Sequence, residues 1–165
     1  MEVDEGIKRN AVLCVLACDQ QYLLLKRFRN PNKGLFTPIG GKLDPHENPR
    51  QAAIRETYEE TGIELVDLTY CGTLVETSPT DYNWNSYVYT SEISFREPPD
   101  CDEGILHWIS RGELTEIPTP VTDRYIYQFI ADDRPFMLNA DYDENLQMLS
   151  LREEIQTELL ISNSL

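Results

Sequence analysis

Residues 40 to 65 read GGKLDPHENPRQAAIRETYEETGIEL, and within them Glu56, Glu59 and Glu60 follow Arg55 at spacings of three and four residues. On an α-helix, at about 100° per residue, these three carboxylates share one arc. Side chains three and four apart are neighbours on a helix surface, so the trio repels itself by roughly a few tenths of a kcal/mol per solvated pair, and more when sheltered. A divalent cation resolves the conflict. Mg²⁺ and Mn²⁺ take carboxylate oxygens, and Mg²⁺ keeps several waters and adds substrate phosphate oxygens to its shell. The plain alternative is a solvated acidic helix face, and the trio alone does not separate the two.

The helix that must carry these groups is bounded in the sequence. From Asn48 to about Thr61 the pattern is helical, Pro49 suits a first turn where its missing N–H is no loss, and Gly62 suits the position just past the end. Glu56, Glu59 and Glu60 then lie beside the small Ala52 and Ala53, while Ile54, Thr57, Tyr58 and Thr61 are expected to face a core. Before the helix, AVLCVLAC and QYLLLKRF are strand-length apolar runs parted by DQQ, which predicts a hairpin. The Gly/Pro-rich RNPNKGLFTPIGG predicts a loop with a short extended piece near LFTPI.

After the helix, LTYCGTLVET and NSYVYTSEI read as strands around the turn-rich SPTDYN, and GILHWI as another short strand. TDRYIYQFIADD, following Pro118 and Pro120, predicts a second helix with Ile126, Phe129 and Ile130 on one face and Tyr125 and Tyr127 beside it. PFMLNADYDENLQMLSLREEI reads as two strands around DEN, and QTELLISNSL as a helical remnant or a disordered tail. These elements make a mixed sheet with two main helices.

Composition narrows the function classes. A chain of 165 residues fits one domain that buries about 70% of its unfolded surface. No stretch approaches the roughly 20 apolar residues of a membrane span, and MEVDEGIKRN is too acidic and polar for a secretory signal. Cys14, Cys18, Cys71 and Cys101 form no CxxC pair; the first two sit in an apolar run as expected buried thiols, and a reduced, cytoplasmic setting follows. A formal charge of −15, from 29 acids and 14 bases, opposes duplex nucleic-acid binding. A small phosphate-bearing substrate stays compatible, because bound divalent cations reverse the local field.

From Gly41 the chain runs through five residues to Glu47, seven to Arg55-Glu56, two to Glu59-Glu60, and one to Gly62-Ile63. This resembles the Nudix box, G-x5-E-x7-R-E-U-x-E-E-x-G-U with U a bulky aliphatic, and departs from it only at Thr57, on the expected core side. The resemblance implies an α/β fold, a Nudix-type α/β/α sandwich with a mixed β-sheet. It would be a single domain over 1–165, with its core at about 8–153 and a tail at 154–165. It also implies a hydrolase of phosphoric anhydrides that uses Mg²⁺ or Mn²⁺.

Carried onto this chain, the resemblance makes Glu56, Glu59 and Glu60 the metal ligands, with the Gly41 carbonyl as a backbone ligand. Arg55 would orient the glutamates and Glu47 would support the loop–helix geometry, while the plain reading of Glu47 is stabilisation near a helix N-terminus. A glutamate could take a proton from the attacking water. Some relatives use an acid from a later loop instead, and Glu103 in DCDEGILHW is the local candidate.

Further resemblance runs along LLLKRF, LFTPIGGKL, GILHWISRGEL and RPFMLNADYDENLQMLSLREE to the MutT-type branch, especially the oxidised-purine nucleoside triphosphatases. Basic residues near the box are Arg27, Arg29, Lys33 and Lys42; Arg27, the Gly40 backbone and Lys42, which directly follows the glycine pair, are substrate-binding candidates that could meet phosphate. Thr37 stands where that subgroup has a base-reading asparagine. PVTD at 120 to 123 stands where it has tryptophan, proline and two aspartates; Asp123 matches one of these, Pro120 and Thr122 do not. His46 reads as a loop residue and His107 as structural.

The first substrate reading is a (deoxy)nucleoside triphosphate cleaved to monophosphate and pyrophosphate. The second is a dinucleotide or nucleoside-diphosphate derivative. A nucleotide-sensing module without turnover is the rival outside enzymes, and an RNA-binding or decapping role is a distant third. The partner is a small nucleotide, with no duplex nucleic acid and no membrane, and the sequence leaves the oligomeric state open.

Overall fold

The protein's structure, a computed structural model, describes residues 7–163. The readings made for the first six residues and the last two lie outside that range. The elements in chain order are β1 (Arg9–Cys18), β2 (Gln21–Arg27), β3 (Phe36–Thr37), β4 (Ile39–Lys42), α1 (Pro49–Thr61), β5 (Thr69–Thr77), β6 (Trp84–Glu92), β7 (Gly104–Ser110), α2 (Val121–Ala131), β8 (Phe136–Tyr142), β9 (Met148–Glu153) and β10 (Glu158–Ser162).

The strands form one mixed sheet in the order β10-β9-β8-β5-β6-β1-β2-β3, with β4 also on β1 and β7 also on β2. β1 runs parallel to β6 and β5 parallel to β8, while the other pairs are antiparallel. Side chains alternate between the two faces of a strand, which sorts the core. Val12, Cys14 and Leu16 of β1 pack with Ala52 and Ala53 of α1. Val15 and Ala17 pack with Tyr127 of α2, and Leu13 joins the cluster around Ile126 and Phe129. The two helices therefore cover opposite faces, as the α/β/α expectation requires.

One edge of β1 is shared. Its first half pairs with β4, from Ala11 opposite Lys42 to Cys14 opposite Ile39, and its end pairs with β2, from Leu16 opposite Leu23 to Cys18 opposite Gln21. Past Leu23, β2 leaves β1 and continues against β3 and β7. The Gly40–Gly41 pair sits at this fork. An added Cβ on Gly40 would lie 2.0 Å from the Val12 carbonyl oxygen, so the two backbones approach more closely than a side chain allows.

α1 begins and ends as its sequence predicts. The Asn48 side chain accepts from the Gln51 N–H at 2.9 Å, and Gln51 Oε1 accepts from the Asn48 N–H at 2.9 Å. Caps of this type stabilise a helix by about 1 kcal/mol. Gly62, at φ 72°, takes the left-handed exit, and its N–H donates to the Tyr58 carbonyl at 2.8 Å. The orientation of the helix differs from the expected one. Its buried residues are Ala52, Ala53, Thr57, Glu60 and Thr61, whereas Tyr58 is 54% exposed. Only residues as small as alanine allow α1 to lie close to β1, and that approach turns Glu60 inward and Tyr58 outward.

The other departure is at the C-terminus. Residues 158 to 162 form neither a helical remnant nor a loose tail; they are β10, an edge strand on β9. Leu160 and Ile161 pack on the cluster that holds Phe136, Leu138 and Leu151. The turn into β10 is organised by Glu153, which is fully buried and accepts from the N–H groups of Ile155 and Gln156 at 2.7 Å and of Met137 at 3.3 Å. Burial opposes its charge, yet these donors hold its carboxyl below the ordinary glutamate value. Cys18 also differs from expectation: it is only half-buried, while Cys14 is buried.

Replacing Glu153 by Ala strands these backbone donors, and the expected loss of stability is about 2–4 kcal/mol. Urea unfolding of the two proteins side by side measures it; a loss below about 0.5 kcal/mol contradicts the role given to Glu153.

Candidate active site

The fork in the sheet opens into a cleft of about 1730 Å³. Of the residues singled out in the sequence, Arg27, Thr37, Gly40, Gly41, Lys42, Glu56, Glu59, Glu60, Glu103 and Asp123 all line it. Arg55 and Glu47 do not; they stand behind the carboxylates as their support. Arg29 and Lys33 are exposed and lie outside the cleft lining, as do His46 and His107, the latter edge-on to Phe36.

Arg55 is the hub of the arrangement. Its Nε donates to Glu47 Oε1 at 2.5 Å and one Nη to Glu47 Oε2 at 2.9 Å, a forked pair. The same Nη reaches the Lys42 carbonyl at 3.0 Å. The other Nη donates to Glu56 Oε1 at 2.8 Å and to Glu59 Oε2 at 3.2 Å. Glu47 in turn accepts from the Asp44 N–H at 2.9 Å, which ties the loop ahead of α1 to the helix. Hydrogen bonds from Arg55 pull the Glu47 carboxyl below its ordinary value, and the Arg55 guanidinium is correspondingly raised.

Gly41 is pressed against this cluster: an added Cβ would lie 2.4 Å from the Glu56 carboxylate. Glu56 is raised from its ordinary value, by burial first, although Arg55 opposes the shift. Glu60 is the group that Arg55 does not reach. It is 9% exposed, and its Oε2 is enclosed with no hydrogen-bond partner. Burial, followed by the charges of Glu56 and Glu103, pushes its carboxyl up to about 8, against the pull of Arg27. Arg27 is itself anchored by donation to the Pro31 carbonyl at 2.7 Å.

This donor set fits a hard divalent cation. It offers only oxygen ligands, one of them an orphaned buried carboxylate oxygen, beside a backbone turn that a side chain would block. Among the described residues the acids do not close into a ready-made ligand cluster. The chain would supply only one side of a coordination sphere.

Past the fork, the sheet carries a second set of polar groups, of which the sequence singled out only Lys42 and Asp123. Strand register lines up Lys42, Ala11, Ser86 and Leu74 in one row and, two residues along on the same face, Arg9, Trp84 and Glu76 in another. Trp84 lies under Arg9 and Lys42, whose charged ends are 5.7 and 5.9 Å from its ring centre. Glu76 is buried and accepts from the hydroxyls of Tyr82 at 3.2 Å and Tyr142 at 2.7 Å. Facing it from the first turn of α2, Asp123 is buried with one partner, the Thr122 hydroxyl at 3.4 Å. Burial, and then the Glu76 charge, pushes Asp123 up to about 8. One signal of Glu76 was available in the sequence: it shares the inward parity of Leu74 in an alternating strand, where a carboxylate is out of place.

A family model for the NUDIX domain matches residues 7–130. The uncharacterized Nudix hydrolase YvcI of Bacillus subtilis is 25% identical over 149 residues, covering 87% of this chain and 92% of that protein. The MutT protein of Bacillus halodurans superposes with a TM-score of 0.78 at 24% identity, covering 89% of this chain and 98% of that one. The NUDIX domain of NrtR from Shewanella oneidensis, solved with ADP ribose, gives 0.66 at 19% identity, covering 77% and 88%. At these identities the superpositions establish the fold.

The buried Asp123 has a consequence for stability. Its folded value of about 8 lies above its ordinary 3.8, so the folded state holds the proton more tightly. This group's contribution is therefore fully present below about pH 3.8 and is lost as pH rises toward 8, by at most about 1.4 kcal/mol per unit. Urea unfolding of the parent protein and Asp123→Asn between pH 5 and 8 is expected to show the parent losing ground by about 1 kcal/mol per unit. Parallel curves contradict the shifted carboxyl.

Proposed function

Because the chain belongs to the NUDIX domain family and is a hydrolase of phosphoric anhydrides, we propose that its substrate is a nucleoside or deoxynucleoside triphosphate, cleaved to the monophosphate and pyrophosphate. The observation that carries this reading is that one cleft joins the carboxylates at Gly41 to the buried polar groups Glu76 and Asp123, with Thr37 also in its lining. From Lys42 to Glu76 the sheet is crossed in three strand steps, about 14 Å at the usual strand spacing. That span suits a nucleotide lying across the sheet, with phosphates at the fork and base over β5, and is too long for a bare pyrophosphate.

Nudix hydrolases generally use a divalent metal, and here Mg²⁺ or Mn²⁺ would be held by Glu56, Glu59, Glu60 and the Gly41 carbonyl. Such an ion would supply charge neutralisation at the phosphate oxygens and make the attacking water more acidic. The chain's own groups do the rest. Arg55 fixes Glu56 and Glu59 from behind, so their free oxygens keep a set direction. Lys42 and Arg27 bring positive charge to the phosphate end, Lys42 from beside the close-packed Gly40–Gly41 backbone. In its ionised form Glu60 would take the proton of the attacking water, and Glu103, which lines the same cleft and whose charge acts on Glu60, is the second candidate acid.

A second reading has its own support. Trp84, lying under Arg9 and Lys42, gives an aromatic face where a second ring could stack, as a dinucleotide or a nucleoside-diphosphate derivative requires. The NrtR domain, solved with ADP ribose, shows that this fold admits such a ligand.

Incubation with Mg²⁺ and a panel of nucleoside triphosphates, ADP-ribose and dinucleoside polyphosphates separates the readings. Monophosphate and pyrophosphate from a triphosphate are expected; turnover of the other classes alone overturns the first reading. On the substrate found, Glu60→Gln is expected to melt within a few degrees of the parent and to lose at least ~100-fold in turnover, or ~2.7 kcal/mol of barrier. Near-normal turnover removes Glu60 from the chemistry.

A further inference from the structure

The recess at the far end of the cleft is built for more than filling space. Glu76 spends one oxygen, Oε2, on two tyrosine hydroxyls, while its Oε1 accepts no hydrogen bond among the described residues. Asp123, opposite, is 5% exposed and has only a long contact to Thr122. Thr37, which lines the same cleft, is also 5% exposed, and its hydroxyl is enclosed without a partner. Buried polar groups are normally hydrogen-bonded, and each one left unpaired costs about 1–3 kcal/mol. The Thr37 hydroxyl is one such group, and together with the free Glu76 oxygen and the weakly held Asp123 carboxyl on the same cleft it marks a place where ligand atoms complete the pairing.

The chemistry of those atoms follows from the groups. A carboxylate accepts and does not donate, so the Glu76 oxygen calls for an N–H. Two tyrosine donors stabilise its ionised form and fix its direction, against the burial that raises it. Asp123, pushed up to about 8 by burial and the Glu76 charge, is the acid of the pair that would hold a proton and donate it to a neighbouring acceptor. An amino group next to a ring nitrogen or carbonyl presents that donor-and-acceptor edge, and adenine, guanine and cytosine all carry one.

We propose that Glu76 is a specificity-determining residue that accepts a hydrogen bond from the exocyclic amino group of the substrate's base, with Asp123 and Thr37 serving the adjoining edge atoms. The inference rests on the nucleotide reading of the cleft and extends it to the base. A site that pairs a substrate N–H discriminates strongly against an analogue that lacks it, because the buried acceptor is then stranded.

Binding of nucleoside monophosphates tests this apart from any cleavage of the phosphate chain, which the hydrolysis panel reads separately. Calorimetry with Mg²⁺ would compare three pairs that differ by the amino group: AMP and purine riboside monophosphate, GMP and IMP, and CMP and pyrimidin-2-one riboside monophosphate. In at least one pair the amino member is expected to bind at least tenfold tighter. That ratio should fall to within about twofold in Glu76→Gln, and to an intermediate value in Tyr142→Phe, which keeps the carboxylate but removes one of its donors. Equal binding within every pair by the parent protein, or no binding by any of the six, overturns the proposal whether or not the variants fold. So does a ratio unchanged in a folded Glu76→Gln.

Discussion

The constraint on which the structure turns is the crowding of carboxylates around Gly41. Glu47, Glu56, Glu59 and Glu60 gather on and ahead of α1, in a chain that carries 29 acids against 14 bases. Arg55 offsets part of this charge by contacting Glu47, Glu56 and Glu59 and the Lys42 carbonyl at once, which binds helix, loop and fork into one unit. Glu60 lies beyond its reach, enclosed and unpaired. One guanidinium thus serves the rear of the cluster, and the front is left to charge from outside. Leaving a buried acceptor unmet is destabilising in isolation, and such groups concentrate where function needs them.

The sheet makes this possible by splitting. β1 gives half of one edge to β4 and half to β2, and the divergence of β2 sets the cleft floor at Gly40 and Gly41. The same register carries β1 into β6 and β6 into β5, so a rigid plane connects the fork to Glu76. Groups at both ends of the cleft are thereby held at a fixed separation by backbone hydrogen bonds rather than by loops. The C-terminal β9–β10 pair extends the plane and adds Met148, Leu149 and Asn163 to the cleft rim.

How much of this was legible in the sequence depended on the range of the signal. The ends of α1 were readable because Asn48, Pro49 and Gly62 act on their own backbone. The β1–β2 hairpin and the strands around SPTDYN and DEN were readable for the same local reason. Which face of α1 turns inward was not, since a wheel that assigns Tyr58 to the core cannot see that Ala52 and Ala53 permit close approach to β1. β10 was missed because its stability comes from a distant contact, the buried Glu153 and the packing of Leu160 and Ile161 on β8 and β9. The fixed spacing of the box located Glu56, Glu59, Glu60 and their Arg55 support. The recess of Glu76, Tyr82 and Tyr142 follows no local pattern, and only the register of β5 with β6 and β8 brings its members together.

The central claim is that the front of the Gly41 cluster is completed by a divalent cation. Its most direct measure is the melting temperature of the protein across a Mn²⁺ titration, beside that of Glu60→Gln. An ion that binds only the folded state stabilises it in proportion to the logarithm of its concentration. The account predicts a melting temperature that climbs by several degrees with Mn²⁺ in the parent protein and barely moves in Glu60→Gln; a flat response in the parent, or an equal rise in both, contradicts it.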